Sequence, residues 1–290
     1  MKYLRIFIQT HRRVWQRGTW YSLLVVIMLF GFFLEAYMHN FNLVYITLFF
    51  VFAVAFSAGP IGTFNLGRLD VNFDSASRLF ANMEGKIFFK IVNNSTSSSS
   101  WAVEIYCDSV NKLIGDVRAG VKRVVSLEVT PKKRGDFECK ETYLQSFFPL
   151  TTVRFILPID DSCIALVYPQ PKGISLRSFL NKQKSYYGEE KDFDGLTTYS
   201  GVESLSRIHW ASVAKGNVLV KKFIHEEHTQ ELAFKFKEAG KSDEARLSQL
   251  CLWVLASEKI NQPFTIEMPN RMLSSKKESI DEILTHLARY

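Results

Sequence analysis

From Gly18 to Leu34 the chain carries no charged side chain, and Leu23–Phe33 is almost wholly apolar. After Glu35 a second uncharged stretch runs through Gly67, with Val44–Ala58 reading VYITLFFVFAVAFSA. Crossing about 30 Å of hydrocarbon takes about 20 helical residues at 1.5 Å each. The pattern therefore predicts two transmembrane helices, at roughly 18–37 and 42–61, joined by a tight turn around Met38, His39, Asn40 and Asn42. Trp15, Trp20, Tyr21, Tyr37 and Tyr45 stand where interfacial aromatics belong, and Glu35 belongs at the far interface rather than at mid-bilayer. The first apolar run is too long for a cleaved signal, no A-x-A-like site follows it, and a second span comes at once.

Beyond the hairpin the period changes. Short β-rich runs alternate with turn signals: GKIFFKIVN (85–93), WAVEIYC (101–107), KRVVSLEVT (122–130), FECKETYL (137–144), TTVRFIL (151–157) and CIALVYP (163–169). Val125, Leu127 and Val129 alternate with Ser126 and Glu128, the period of a half-buried strand. Runs at this spacing predict an antiparallel β-sandwich over 66–170, with the serine run Ser95–Ser100 as a hairpin loop. The polar stretch 171–191 reads as a linker. VLVKKFI (218–224), ELAFKF (231–236) and PFTIEMP (263–269) are predicted strands. Asp243–Lys259 places Ala245, Leu247, Leu250, Cys251, Val254 and Leu255 on one helical face, and Lys277–Arg289 does the same with Ile280, Ile283, Leu284 and Leu287. The predicted class is α+β: a helical hairpin over 18–65, an Ig-like β-sandwich, and a small α/β region within 192–290.

Charge changes the picture at one end. The net charge of the 290 residues is +7, but Lys2, Arg5, Arg12, Arg13 and Arg17 all precede the first span. That leaves 31 basic against 29 acidic side chains, too even a balance for a nucleic-acid footprint. The positive-inside rule puts residues 1–17 in the cytoplasm, and two spans return the body to the same side, which predicts a two-pass membrane protein with a cytoplasmic body. Cys107, Cys139, Cys163 and Cys251 have no C-x-x-C spacing and read as small apolar core residues, suited to a reducing compartment.

His225-Glu226-Glu227-His228 has its histidines three apart rather than four and is no zinc-protease motif. There is no G-x-G-x-x-G, no Walker loop and no G-x-S-x-G, so neither an enzyme class nor a cofactor or metal is expected. The densest segment is 192–223, with Asp194, Tyr199, Arg207, His209, Trp210, Lys215, Lys221 and Lys222. Either Trp210 plugs the core while Arg207 pairs with an acid, or the segment is a recognition surface, since Trp and Arg dominate binding hot spots. A hydrolase using Asp194, His209 or Glu203 has a candidate base but no nucleophile.

This segment resembles the signature of the bacterial domain-of-unknown-function family 58, approximately Tyr-x-x-Gly-Asp-x-x-Arg-x-Ile-x-Trp-Lys-x-x-Ala-Arg. Tyr199, Arg207, Ile208, His209, Trp210 and Ala214 stand at matching places, and Phe193-Asp194-Gly195-Leu196 resembles the family's Phe-x-Gly-Leu run. Arg134-Gly135, Val153-Arg154-Phe155 and Val167-Tyr168-Pro169 resemble its β-rich lead-in, and Glu244–Ser248 with Trp253-Val254-Leu255 its helix. Val202, Ala211 and Lys215 depart from the family's acid, lysine and arginine. Longer relatives carry a von Willebrand factor A-like domain with an Asp-x-Ser-x-Ser metal site. Here Lys237-Glu238-Ala239-Gly240 follows the strand instead, so the carboxyl end resembles a truncated form of that fold without its metal. The resemblance implies a membrane-anchored, non-enzymatic accessory protein encoded beside a MoxR-type AAA+ ATPase, often also beside a transglutaminase-like membrane protein. A purely structural subunit of a membrane complex, with the hairpin as its contact, is the other expectation.

Overall fold

A computed structural model describes residues 10–108, 110–159, 163–187, 193–200, 208–216, 218–223 and 231–290, the side chains of 182–187, 193, 194 and 221–223 excepted. The chain divides at Tyr168/Pro169 into two compact units.

The first unit begins with strand β1 (Trp15–Gly18), followed by helices α1 (Trp20–His39) and α2 (Asn42–Gly67). Asn40, at φ 51°, ends α1 in the left-handed conformation that a tight interhelical turn needs. Both helices are long and apolar enough to cross a membrane, and each leaves most of its surface exposed. Phe30, Phe50 and Phe56 are among the large apolar side chains turned outward, which suits lipid rather than water.

The second helix outlasts its expected end at residue 61. Pro60 lies inside it, and the helix continues to Gly67 with Gly62, Thr63, Asn65 and Leu66 buried. Those last turns are held by the β-sandwich, so apolar patterning alone misses them.

Ten further strands complete the unit: β2 (Leu69–Ala76), β3 (Leu79–Phe80), β4 (Gly85–Asn93), β5 (Ser100–Cys107), β6 (Val110–Val117), β7 (Lys122–Val129), β8 (Gly135–Glu138), β9 (Thr142–Ser146), β10 (Val153–Pro158) and β11 (Ile164–Tyr168). They form sheets of order β1-β10-β9-β5-β6, β2-β4-β7 and β3-β11-β8, antiparallel throughout except for β3 with β11. Alternating positions point inward, such as Ile87, Phe89 and Ile91 of β4 and Val125, Leu127 and Val129 of β7. With Ile105, Leu144, Phe155 and Val167 they make one continuous core.

Two sequence expectations change here. The serine run does not close a hairpin, because β4 and β5 belong to different sheets and 94–99 carries the chain between them. Buried Asn93 steadies that passage by donating to the Ser98 and Val117 carbonyls and accepting from the Ser95 amide. The run 137–144 is also not one strand. It breaks at Cys139–Glu141, where the Asp108 carboxylate accepts from the Lys140 and Glu141 amides. The halves enter different sheets as β8 and β9.

The second unit holds α3 (Leu176–Tyr187), β12 (Phe193–Thr198), the short α4 (Trp210–Val213), β13 (Leu219–Phe223), β14 (Leu232–Lys235), α5 (Asp243–Lys259), β15 (Phe264–Glu267), β16 (Met272–Ser274) and α6 (Ile280–Arg289). β14 and β15 pair in parallel with α5 between them in sequence, and β16 adds antiparallel to β15. The stretch expected as a linker contains α3, which packs on α5: the Phe179 ring lies 4.4 Å from Trp253 and 5.7 Å from Phe234. This second cover explains why Gln249 and Trp253 are buried on α5 besides the predicted Leu247, Leu250, Cys251 and Val254.

Helix α6 starts three residues later than its periodicity suggests, because Ser279 is its cap. The Ser279 hydroxyl accepts from the Glu282 amide, and the Glu282 carboxylate accepts from the Ser279 amide. Ser279→Ala is expected to cost about 1 kcal/mol, read as a lowered melting temperature. Those hydrogen bonds hold the Glu282 carboxyl below its usual pKa. The carboxylate's share of the cap is therefore present above the ordinary glutamate range and lost as pH falls through the lowered value.

Candidate functional site

The segment 192–223 is built on an antiparallel pair, β12 with β13, in register from Phe193↔Phe223 to Thr198↔Leu219, with an irregularity at Gly195 (φ 145°). The Tyr199 amide extends the ladder by donating to the Val218 carbonyl. Ile208 forms a bridge with Val220, both buried. The His209 amide then donates to the Leu219 carbonyl. Ser212 closes the turn: its hydroxyl donates to the His209 carbonyl at 2.7 Å and accepts from the Leu219 amide.

This frame decides the place of Trp210. The ring does not plug a core; Trp210 is 66% exposed at the start of α4, with Lys215 exposed one turn on. Tyr199 and His209 are half-buried. The His209 ring has a buried Nδ1 without a hydrogen-bond partner among the described residues. Asp194 and Lys221–Lys222 belong to β12 and β13 by their backbone. Arg207, Glu203 and the 225–228 motif lie outside the described residues. Among the described residues the segment presents an exposed indole and a lysine on a hydrogen-bonded hairpin.

A second feature surrounds the base of the helical hairpin. Residues 15–18 form β1, an edge strand paired with β10, from Trp15↔Ile156 to Gly18↔Val153. The Thr19 hydroxyl donates to the Thr151 carbonyl at 2.6 Å, just before α1 begins. On the far side of the hairpin, the Asn65 side chain donates to the Trp101 carbonyl and accepts from the Trp101 amide, while the Ser100 hydroxyl donates to the Asn65 carbonyl. Gln16 reaches across to donate to the Thr63 hydroxyl at 2.7 Å. The ion pair Arg13–Asp70 at 2.9 Å is roughly half exposed on both sides, so it adds at most about 1 kcal/mol.

Beside this junction is a pocket of about 330 Å³, lined by Asn65, Arg68, Ser98, Ser99, Trp101 and Phe148 among others. Burial lowers the Arg68 pKa, and its Nε donates to the Phe64 carbonyl at 2.6 Å.

The sequence reading missed a third feature. Cys107, Cys139 and Cys163, scattered in the chain, come together at one end of the sandwich, with the Cys139 and Cys163 sulfurs 3.1 Å apart. Their spacing matches no motif because the sheet topology assembles them. Cys251 lies elsewhere, in the core of the second unit, where burial pushes its thiol up to about 12.

No protein-family model matches this chain, and no curated protein matches it. Among solved structures it is similar to the CARDB domain of PF1109 from Pyrococcus furiosus, at 10% identity over 34% of this chain and 94% of that one, with a TM-score of 0.21. It is also similar to the ASH/PapD-like domain 7 of human CEP192, at 11% identity over 34% of this chain and 82% of that one, with a TM-score of 0.17. Likenesses this remote carry no functional argument.

Proposed function

We propose that this chain is a non-enzymatic accessory protein anchored in the bacterial inner membrane, its sandwich and carboxyl-terminal unit in the cytoplasm. The observation that carries the reading is the double seating of the hairpin. The strand before α1 and the last turns of α2 are both bonded into the same sandwich, so membrane insertion fixes the orientation of that domain. The five basic residues before the first span, against Glu35 and His39 in the turn, support the cytoplasmic side. The parallel β14/β15 pair around α5 supports a truncated von Willebrand factor A-like region, and the largely antiparallel sheets around one core support an Ig-like sandwich.

The partner in this reading is a MoxR-type AAA+ ATPase acting in assembly or maturation of envelope proteins, with a transglutaminase-like membrane protein as a further component. The resemblance to family 58 suggests that partner, and exposed Trp210 is the residue through which it binds. Mild-detergent affinity purification of the tagged chain, with a non-hydrolysed ATP analogue, is expected to recover the ATPase. Trp210→Ala is expected to weaken binding by about 2 kcal/mol, or roughly 30-fold, while changing stability by less than about 0.5 kcal/mol. Recovery of integral membrane proteins alone, from a wild-type chain that is folded, contradicts the adaptor reading.

A further inference from the structure

We infer that Cys107, Cys139 and Cys163, together with the carboxylate of Asp108, form a site for one thiophilic divalent cation of the zinc class. Cys107 closes β5 and Asp108 follows it, Cys139 sits in the break between β8 and β9, and Cys163 immediately precedes β11. Each thiol is buried, at 1%, 8% and 1% exposure. One ligand atom each from Cys107, Asp108 and Cys139 lies within 4.8 Å of the other two, and Cys163 Sγ is 3.1 Å from Cys139 Sγ. Tetrahedral zinc with bonds of about 2.3 Å to sulfur needs ligand atoms about 3.8 Å apart. Cys107, Asp108 and Cys139 already stand within that range of one another, and Cys163 joins them through its contact with Cys139.

The backbone around the cluster is stapled. The Cys139 amide donates to the Cys163 carbonyl at 3.2 Å, continuing the β8/β11 ladder. Asp108 takes a positive φ of 51°, its amide donates to the Glu141 carbonyl, and one carboxylate oxygen accepts from the Lys140 and Glu141 amides. The two amides on one carboxylate oxygen are the outer support that metal-ligating carboxylates characteristically have. Thr142 stands opposite Cys107 across the β5/β9 ladder, and its buried hydroxyl has no hydrogen-bond partner among the described residues.

A core that needed only small apolar residues gains nothing from two hydrogen-bonded thiols with a third thiol and a carboxylate beside them. A disulfide would use two of the sulfurs and strand the third. One cation uses all three and the carboxylate, filling the four positions of a closed structural site. Such a site ties β5 of the five-stranded sheet to β8 and β11 of the three-stranded one.

The hydrogen bond to Cys139, then burial, raises the Cys107 pKa. Cys139, though helped by its bond from Cys107, is pushed up to about 12 by its bond to Cys163 and by burial. A bound cation must displace these protons, so affinity rises with pH.

The test uses the full-length protein in detergent, purified with reductant and without chelator, then titrated with zinc and with cobalt as its spectroscopic substitute. The expected result is one equivalent per chain, a thiolate-to-cobalt charge-transfer band, and a raised melting temperature with zinc. Cys139→Ser is expected to abolish the band, Cys107→Ser and Cys163→Ser to weaken binding by more than about tenfold, and Cys251→Ser to change nothing. Asp108→Asn, which keeps the shape of the turn, tests the carboxylate if a cysteine variant fails to fold; it is expected to weaken binding by about 10–100-fold. A reduced, folded wild-type chain that gives neither band nor melting shift overturns the site. So does a cobalt band that survives in Cys139→Ser or disappears in Cys251→Ser.

Discussion

Replacing Phe155 by alanine is expected to destabilise the first unit by about 3–5 kcal/mol, among the largest effects of any single substitution in this protein. The ring is fully buried on β10, and it fills the notch above Gly62, where an added Cβ would stand 2.1 Å from it. This is the place where α2 meets the sandwich. Loss of the ring therefore removes core packing and loosens the helix from the domain that it orients. For a unit of this size the melting temperature is expected to fall by roughly 6–20 °C, measured by circular dichroism in detergent. Gly62→Val attacks the same contact from the other side and is expected to cost about 1–3 kcal/mol by overpacking. The double variant should be less destabilised than the sum, since the valine occupies space that the ring has left. Strict additivity, or an unchanged melting temperature in Phe155→Ala, contradicts this account of the junction.

In the second unit, Trp253→Ala is expected to cost a similar 3–5 kcal/mol. The indole is buried on α5, lies 5.1 Å from the Phe234 ring and 4.4 Å from Phe179, and donates to the Ile174 carbonyl at 2.9 Å. Gln249, one turn earlier, accepts from the Ile174 amide and donates to the same carbonyl. Together they clamp the chain at the start of α3. Gly173, at φ 145°, leaves no room there for a side chain, since a Cβ would meet the Gln249 amide at 2.1 Å. Gln249→Leu is expected to cost about 1 kcal/mol, because it removes the part-buried hydrogen bonds to both the Ile174 amide and the Ile174 carbonyl. Hydrogen exchange is the discriminating readout. Both substitutions should speed exchange at Ile174 and along α3 and leave α1 and α2 unchanged. Equal loss of protection in both units would refute a local clamp.

Much of the architecture was legible in the chain, and the reason is physical. Two apolar stretches of membrane-spanning length, the alternation of Val125, Leu127 and Val129, and the helical face of Leu247, Leu250, Cys251 and Val254 are local periodicities. Any fold that buries one face of a strand or helix imposes them. The predicted bounds of α5 match the observed helix because a serine cap and acidic first turn mark its start. The same logic failed where an element owes its existence to a distant partner. Helix α3 has a polar sequence and is held by Gln249, Phe234 and Trp253. The break inside 137–144 has no glycine or proline and is made by a carboxylate from residue 108.

The candidate sites divide in the same way. Sequence alone determined which residues of 192–223 are chemically conspicuous, but whether Trp210 faces inward or outward depended on the Ile208–Val220 bridge and the Ser212 turn. Sequence likewise determined the hairpin and the strand-rich body. Only the tertiary structure decided that β1 and the end of α2 are parts of the sandwich, and that three of four cysteines share one buried corner. Periodicity reports which side of an element is buried, because that is a property of neighbours along the chain. What lies across the buried face, and what gathers where strand ends from different sheets meet, is set by pairing over long sequence separations and leaves no local trace.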